Sequence, residues 1–288
     1  MEKIMQKYSF AVDEKQISAK VEEAKQSAKN INPEALKQCF NSIDLTTLNA
    51  ADTISQVKKM TEKVSNFSGV YCNLPNVAAI CVYPALVNTV RKNLTDKNVR
   101  IASVTAGFPA SQTFIDVKIK ESLLAIENGA DEIDIVISVG RFLEKDYEFV
   151  YSEIEQIKKA VGDACVKVIL ETGALKDLQL IRTASLLAME AGADFIKTST
   201  GKFYAAATPE AVCVMCMAIA DYKAQSKRDV GIKPSGGIST TGEALVYYGI
   251  LKSTLGENWL NNKLFRIGAS RLANSLLTDI TGLEATYF

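Results

Sequence analysis

Eight short strand-like runs, each separated from the next by a helical pattern in a chain of 288 residues, predict an α/β fold, the (β/α)8 TIM barrel. Eight is the number of parallel strands that closes such a barrel, and helical crossovers are what parallel neighbours need. No linker or low-complexity stretch divides the chain, and the length suits one barrel. A doubly wound open sheet is the other topology this alternation allows.

Taken in order, residues 12–29 are charged, with Val12, Ile17, Val21 and Ala24 at helical spacing. They predict a mostly exposed helix outside the barrel repeat, whose scattered Val and Ile allow a modest contact. Asn32-Pro33-Glu34 is a helix start, with Asn as the cap and Pro at the first helical position. The chain therefore divides into a helical extension, residues 1–40, and a barrel, residues 41–288. Strands are expected at 42–47, 77–83, 99–105, 131–138, 166–171, 193–198, 229–233 and 264–268. Helices are expected over 112–128, 146–161, 176–191, 208–224 and 241–255, among others. No repeat of 20–50 residues stands out beyond the βα alternation.

Composition excludes several function classes. The 33 basic and 33 acidic residues balance, with no basic stripe, which argues against nucleic-acid binding. No apolar run approaches the roughly 18 residues of a membrane span. Residues 1–7 lack the apolar core of a secretory signal, so the expected setting is cytoplasmic. The chain has no histidine, which rules out Ser-His-Asp and Cys-His mechanisms and argues against zinc; no metal and no cofactor are expected. Six scattered cysteines do not predict disulfides in that setting, and Cys213 and Cys216 lie in an apolar helical stretch that reads as core.

The informative residues are charges at strand positions. Lysine is almost never buried without a partner. Yet Lys197 ends the run Ala193–Lys197, and Lys233 ends Val230–Lys233. Strand side chains alternate between faces. With Ile133, Ile135 and Ile137 packed outward, Glu132, Asp134 and Val136 face the lumen. The same rule turns Lys167, Ile169 and Glu171 inward, and likewise Lys197, Lys233, Asp44, Thr46, Cys81 and Tyr83. A barrel lumen is usually filled by branched apolar residues. Acids and lysines there must pair. A structural salt-bridge network is the competing reading, but three inward lysines with Asp44 and Asp134 favour an amine made nucleophilic by its neighbours.

Several segments carry a resemblance in addition. Asp44-Leu45-Thr46-Thr47-Leu48-Asn49, Ala79-Ile80-Cys81-Val82-Tyr83-Pro84, Gly129–Val136, Lys167–Gly173, Ala193–Lys202, Val230–Gly237 and Arg266–Ser270 occur in one order along the chain. Together they resemble the deoxyribose-phosphate aldolases, a class I (Schiff-base) family. The resemblance implies reversible cleavage of 2-deoxyribose 5-phosphate to acetaldehyde and glyceraldehyde 3-phosphate, in deoxyribonucleoside breakdown. It implies that Lys197 forms the imine, that Lys233 is the cation keeping it neutral from a few ångströms away, and that Asp134 moves protons. It also places Asp44, Cys81, Lys167 and Thr200 at or near the substrate. The partners it implies are a sugar phosphate and aldehydes; homo-oligomerisation is left open.

A substrate phosphate needs donors. Gly236-Gly237 follows the seventh strand and Gly268-Ala269-Ser270 the eighth, where barrels often hold phosphate, and Gly201-Lys202 adds a cation after the sixth. Two positions depart from the resemblance. Ser239 stands where an arginine is common, and Arg271 where a small residue is common. Arg271, read as lying in a helix's first turn, is expected to replace the missing cation. The family's C-terminal tyrosine role does not transfer cleanly, because Tyr287 is penultimate, before Phe288. Two other readings compete: a sugar-phosphate isomerase or epimerase, which leaves the lysine pair unexplained, and a non-catalytic sugar-phosphate-binding barrel, which has no need of Asp134, Lys197 and Lys233 together.

Overall fold

The computed structural model describes residues 2–203 and 207–288. Helices α1 (Glu2–Lys7), α2 (Glu14–Ser27) and α3 (Pro33–Asn41) lead into β1 (Ile43–Thr46), then α4 (Ile54–Ser65), α5 (Phe67–Val70), β2 (Ala79–Val82), α6 (Val87–Asn93) and β3 (Arg100–Val104). The chain continues through α7 (Ile115–Glu127), β4 (Glu132–Val136), α8 (Val139–Leu143), α9 (Tyr147–Val161), β5 (Cys165–Ile169), α10 (Thr172–Leu175), α11 (Leu178–Glu190) and β6 (Phe195–Lys197). It ends with α12 (Pro209–Ser226), β7 (Gly231–Lys233), α13 (Thr241–Leu255), β8 (Ile267–Ala269) and α14 (Leu272–Thr281).

All eight expected strands are present and parallel, in the order β7-β6-β5-β4-β3-β2-β1-β8. Parallel bridges Ile232 to Phe265 and Ser235 to Gly268 join the two ends of that order and close the barrel. The open-sheet alternative is thereby excluded. β8 begins three residues later than expected. A turn in which Leu264 and Phe265 both donate to the Asn261 carbonyl occupies its predicted start.

The alternation rule holds around the barrel. Ile43, Leu45, Ile80, Val82, Ile133, Ile135, Val166, Val168, Ile196 and Ile232 are buried outward, against the helices. Inside, Leu48, Ala79, Cys81, Ala102 and Val104 form a separate small cluster beneath Tyr83 and Phe108. That apolar packing fills only the β1–β3 side of the lumen. The rest is filled by charge.

Several helices begin at side-chain caps. Asn32 accepts from the Glu34 N–H, Thr208 from Ala211, and Thr240 forms a reciprocal capping box with Glu243. The same αβ joint is used twice, at Gly129-Ala130-Asp131 and Gly192-Ala193-Asp194. Each glycine takes positive φ, 106° and 104°, and each aspartate accepts from a strand N–H, Ile101 and Val166 respectively.

The N-terminal helices are held more firmly than their composition predicts. Ile17, Val21 and Ala24 of α2 are all buried, against α12 and α13. The approach is close because Gly249 of α13 faces Ala24; a Cβ at 249 would lie 3.2 Å from the alanine methyl. A stripe one residue wide suffices because α13 is apolar nearly all round, so the groove it borders needs filling rather than a broad face. Among the described residues, no helix is long and apolar enough to cross a membrane.

Candidate active site

The lumen charges come from seven positions. Asp44 is on β1, Glu132 and Asp134 on β4, Lys167 on β5, Lys197 on β6, Lys233 on β7, and Arg266 just before β8. Register brings them together: Asp134 is opposite Lys167, and Lys197 is opposite Lys233. Asp134 is the hub. Its Oδ1 accepts from Lys167 Nζ at 2.8 Å, and its Oδ2 accepts from both Lys197 and Lys233 at 2.7 Å. Two amines on one oxygen lie within twice that distance of each other, as the sequence reading requires. Lys233 also pairs with Asp44 Oδ2. Lys167 also meets Glu132 at 2.6 Å and, more distantly, Asp44 at 3.6 Å.

Arg266 closes the lower end. It donates to Asp44 at 2.7 Å and to both oxygens of Glu132, at 2.9 and 3.1 Å. Its guanidinium lies 5.7 Å from the centroid of the Phe195 ring. Gly231 makes room for that ring, since a Cβ there would come within 2.3 Å of it.

The electrostatics separate the three lysines. Burial pushes the Lys197 amine down; Asp134 opposes this, and Lys233 adds to it. For Lys233 and Lys167, burial acts the same way but is outweighed. Asp134 and Asp44 hold Lys233 above its usual value, and Asp134, Glu132 and Asp44 hold Lys167 well above. Burial would raise Asp134, yet Lys167, Lys197 and Lys233 carry it well below the carboxylate range. Lys197 is thus the one lysine of the three whose amine is held below its usual value.

Above this layer is a cavity of about 240 Å³, and Lys197 forms its floor. Its walls are the loops after β1 (Thr46, Leu48, Asn49), β6 (Thr200 to Lys202), β7 (Ser235 to Ile238) and β8 (Gly268 to Arg271). The loops after β6 and β7 are tied together. Thr198 and Ser199 hydroxyls donate to the Ser235 carbonyl at 2.8 and 2.7 Å, and the Ser235 hydroxyl donates back to Ser199 at 2.7 Å. Gly236 and Gly237 both take positive φ, 99° and 85°, leaving backbone where a side chain would crowd the opening. The α14 N-terminus has no side-chain cap. Its first N–H groups therefore remain available beside Ser270.

The sequence-predicted residues fall into two tiers. Lys197, Thr200, Gly201, Lys202, Gly236, Gly237, Gly268, Ser270 and Arg271 line the cavity. Asp134, Asp44, Lys167 and Lys233 lie buried in the charged layer, and Cys81 lies in the apolar cluster. Burial pushes the Cys81 thiol up, so it remains protonated. Arg271 is the residue before α14 rather than in its first turn, and its side chain is exposed. Ser239 donates its N–H to Glu243 at 2.9 Å and takes part in capping α13.

Three residues are given no role by the sequence. Strand alternation turns Glu132 and Glu171 toward the lumen, and carried through the eighth run it turns Arg266 inward as well. Glu171 holds a left-handed backbone, φ 53°, and accepts from the Thr200 hydroxyl at 2.6 Å, while Thr200 in turn accepts from the Lys202 N–H at 3.1 Å. The loop after β6 is thereby fixed from beneath.

Tyr287 is far from this chemistry. Its hydroxyl donates to the Lys63 carbonyl at 2.6 Å, and its ring packs on Phe67 and Tyr71, at 5.8 and 5.5 Å between centroids. Those residues precede β2 and do not line the cavity, and Phe288 is held by paired hydrogen bonds with Asn274 of α14, at 2.8 and 2.9 Å. A chain ending at Ala285 is expected to keep full turnover and to lose about 2 kcal/mol of stability from the lost aromatic packing. Parallel activity and denaturation measurements check both; lost turnover with intact stability would return Tyr287 to the site.

Comparison with known proteins agrees with this geometry. A sequence model described as "DeoC/LacD family aldolase" matches residues 39–247. The chain is 41% identical over 266 residues to deoxyribose-phosphate aldolase of Homo sapiens, covering 88% of this chain and 84% of that one. It is 41% identical over 271 residues to the Mus musculus enzyme, with the same coverage. Among solved structures, a tetrameric deoxyribose phosphate aldolase from Aeropyrum pernix superimposes with a TM-score of 0.67 at 25% identity, covering 91% of this chain and 97% of that one. An aldolase described as QR15 gives 0.68 at 29% identity, covering 85% and 98%.

Proposed function

Since the chain belongs to the DeoC/LacD family of aldolases, we propose that it cleaves 2-deoxyribose 5-phosphate through an imine on Lys197. The aldolase class follows from the family; the residue roles are our reading. One observation carries them. Of the three lumen lysines, Lys197 alone reaches the cavity, and it is also the one whose amine burial and Lys233 bias toward neutrality.

The neutral amine attacks the substrate's C1 aldehyde, and water leaves. Loss of the proton from the C3 hydroxyl breaks the C2–C3 bond. Glyceraldehyde 3-phosphate departs, and the bonding electrons move into the iminium to give an enamine on Lys197. Protonation at C2 and hydrolysis then release acetaldehyde. Asp134, already bonded to the Lys197 nitrogen, and Lys233 on the same oxygen are placed to hold and return protons at that nitrogen. Because three cations hold Asp134 ionised, its part in the resting protein is to balance charge rather than to store a proton.

We assign the phosphate to the loops after β7 and β8, with the open α14 N-terminus and Arg271 as donors. Among the described residues no carboxylate pairs with Arg271, which leaves it free to meet an anion. Arg271→Ala is expected to raise KM about tenfold for the phosphorylated substrate while leaving unphosphorylated deoxyribose nearly unchanged. Equal losses on both would remove Arg271 from the phosphate site.

A cytoplasmic setting fits the six unpaired cysteines. Self-association fits Phe114, Val117 and Leu124, exposed apolar residues at and along α7.

Acetaldehyde alone in D2O tests the reaction class. An imine enzyme makes the enamine without an acceptor and exchanges deuterium into the methyl group. Phosphorylated sugar interconversion without such exchange would instead identify an isomerase.

A further inference from the structure

We propose that Glu132 and Arg266, neither of which lines the cavity, are positioning residues with opposite effects on the Lys197 amine: the Arg266 charge drives it toward its neutral form, and the Glu132 charge holds it back. The proposal rests on the imine reading above.

Four cationic groups, Arg266, Lys167, Lys197 and Lys233, face three carboxylates, Asp44, Glu132 and Asp134. With everything ionised, one positive charge is in excess in a layer that is almost wholly buried. Buried charge without a partner is expelled by loss of a proton from the group least firmly held. Arg266 cannot lose one. Lys167 contacts three carboxylates and Lys233 two, whereas Lys197 contacts Asp134 alone and shares that oxygen with Lys233. The excess therefore leaves from Lys197.

Two further titratable groups face Lys197. Cys81, from β2, is kept protonated by burial; Glu171, just beyond β5, is pushed up by burial, is bonded to the hydroxyl and N–H of Thr200, and makes no ion pair with the lumen cations. Arg266 and Glu132 are paired and together add no net charge, so the loss of either one alone shifts the count by one at a distance from Lys197.

The same excess acts after condensation. A protonated imine on Lys197 restores the unpaired charge. The lumen then favours transfer of a proton from the adjacent carbon to water in the cavity, so that the C–H electron pair forms the C=C bond while the C=N pair returns to nitrogen. The product is the neutral enamine. Ammonium and iminium are thus both driven toward their neutral forms by one charge count.

The test is the pH dependence of Lys197 trapping by acetaldehyde and cyanoborohydride, read by peptide mass. Glu132→Gln raises the excess to two and is expected to shift the acid limb down by about one pH unit. Arg266→Gln removes the excess, leaves Lys197 an ammonium and shifts the limb up by about one unit. The double variant restores an excess of one and returns the limb to its original position. Should a single variant fail to fold, Asp44→Asn removes a carboxylate too and must move the limb as Glu132→Gln does. Shifts of both single variants in one direction, or a double variant that only compounds their losses, would overturn the proposal. Absence of any Lys197 adduct in the unaltered protein would instead overturn the imine reading.

Discussion

Lys197→Met is expected to lower kcat/KM by at least about 10⁴-fold, the scale on which loss of a covalent nucleophile acts, while leaving the protein folded. No other side chain substitutes for it. Lys167 and Lys233 are fully buried in the charged layer and held protonated, so neither offers a neutral amine to the cavity. The fold should tolerate the change because methionine replaces the lysine stem closely in volume. Removing Lys197 also leaves three cations against three carboxylates, and Asp134 keeps Lys167 and Lys233. The expected result is therefore an inactive protein with an unchanged or slightly raised Tm. Substantial residual turnover in a folded Lys197→Met protein would be incompatible with covalent catalysis at this position.

Asp134→Asn is expected to damage both activity and stability. It leaves Asp44 and Glu132 alone against Arg266, Lys167 and Lys233, and uncompensated buried charge costs about 3–5 kcal/mol. In a chain of this size that lowers Tm on the order of 10 °C. Activity should fall at least about 10³-fold, because the Lys197 nitrogen loses its one carboxylate partner. The sign of the pH dependence follows from the direction of the Asp134 shift. A carboxyl held below its unfolded value of about 3.9 contributes stability that is fully present above that value and lost as pH falls through the folded one. The stability gap between the two proteins should therefore be wide at neutral pH and close in acid. Denaturation at several pH values checks this; a gap that is the same at acid and neutral pH would mean that Asp134 is not the ionised hub.

The contrast between these two substitutions explains what could be read from the sequence. Strand alternation is a local rule, and it placed Asp134, Lys167, Lys197 and Lys233 in the lumen because isoleucines and valines beside them had to face the helices. The pairing of β4 with β5 and β6 with β7 then brought those charges into contact, as a closed parallel barrel requires. Arg266 goes without a role because the alternation rule is not carried through the eighth run, although the strand expected at 264–268 contains it. The depth of α2 was underestimated for a different reason. Its stripe of Ile17, Val21 and Ala24 is narrow, and its burial depends on Gly249 lying opposite, a fact of tertiary packing that no local pattern contains. The docking of Tyr287 depends likewise on Phe67 and Tyr71, more than 200 positions away in sequence.

The central claim is that Lys197 carries the covalent intermediate, and reductive trapping tests it most directly. The unaltered protein is incubated with acetaldehyde and borohydride, digested, and its peptides weighed. The account predicts a stable ethyl adduct on Lys197, absent without reductant. An adduct on Lys233 or Lys167, or none on a folded protein, would contradict it.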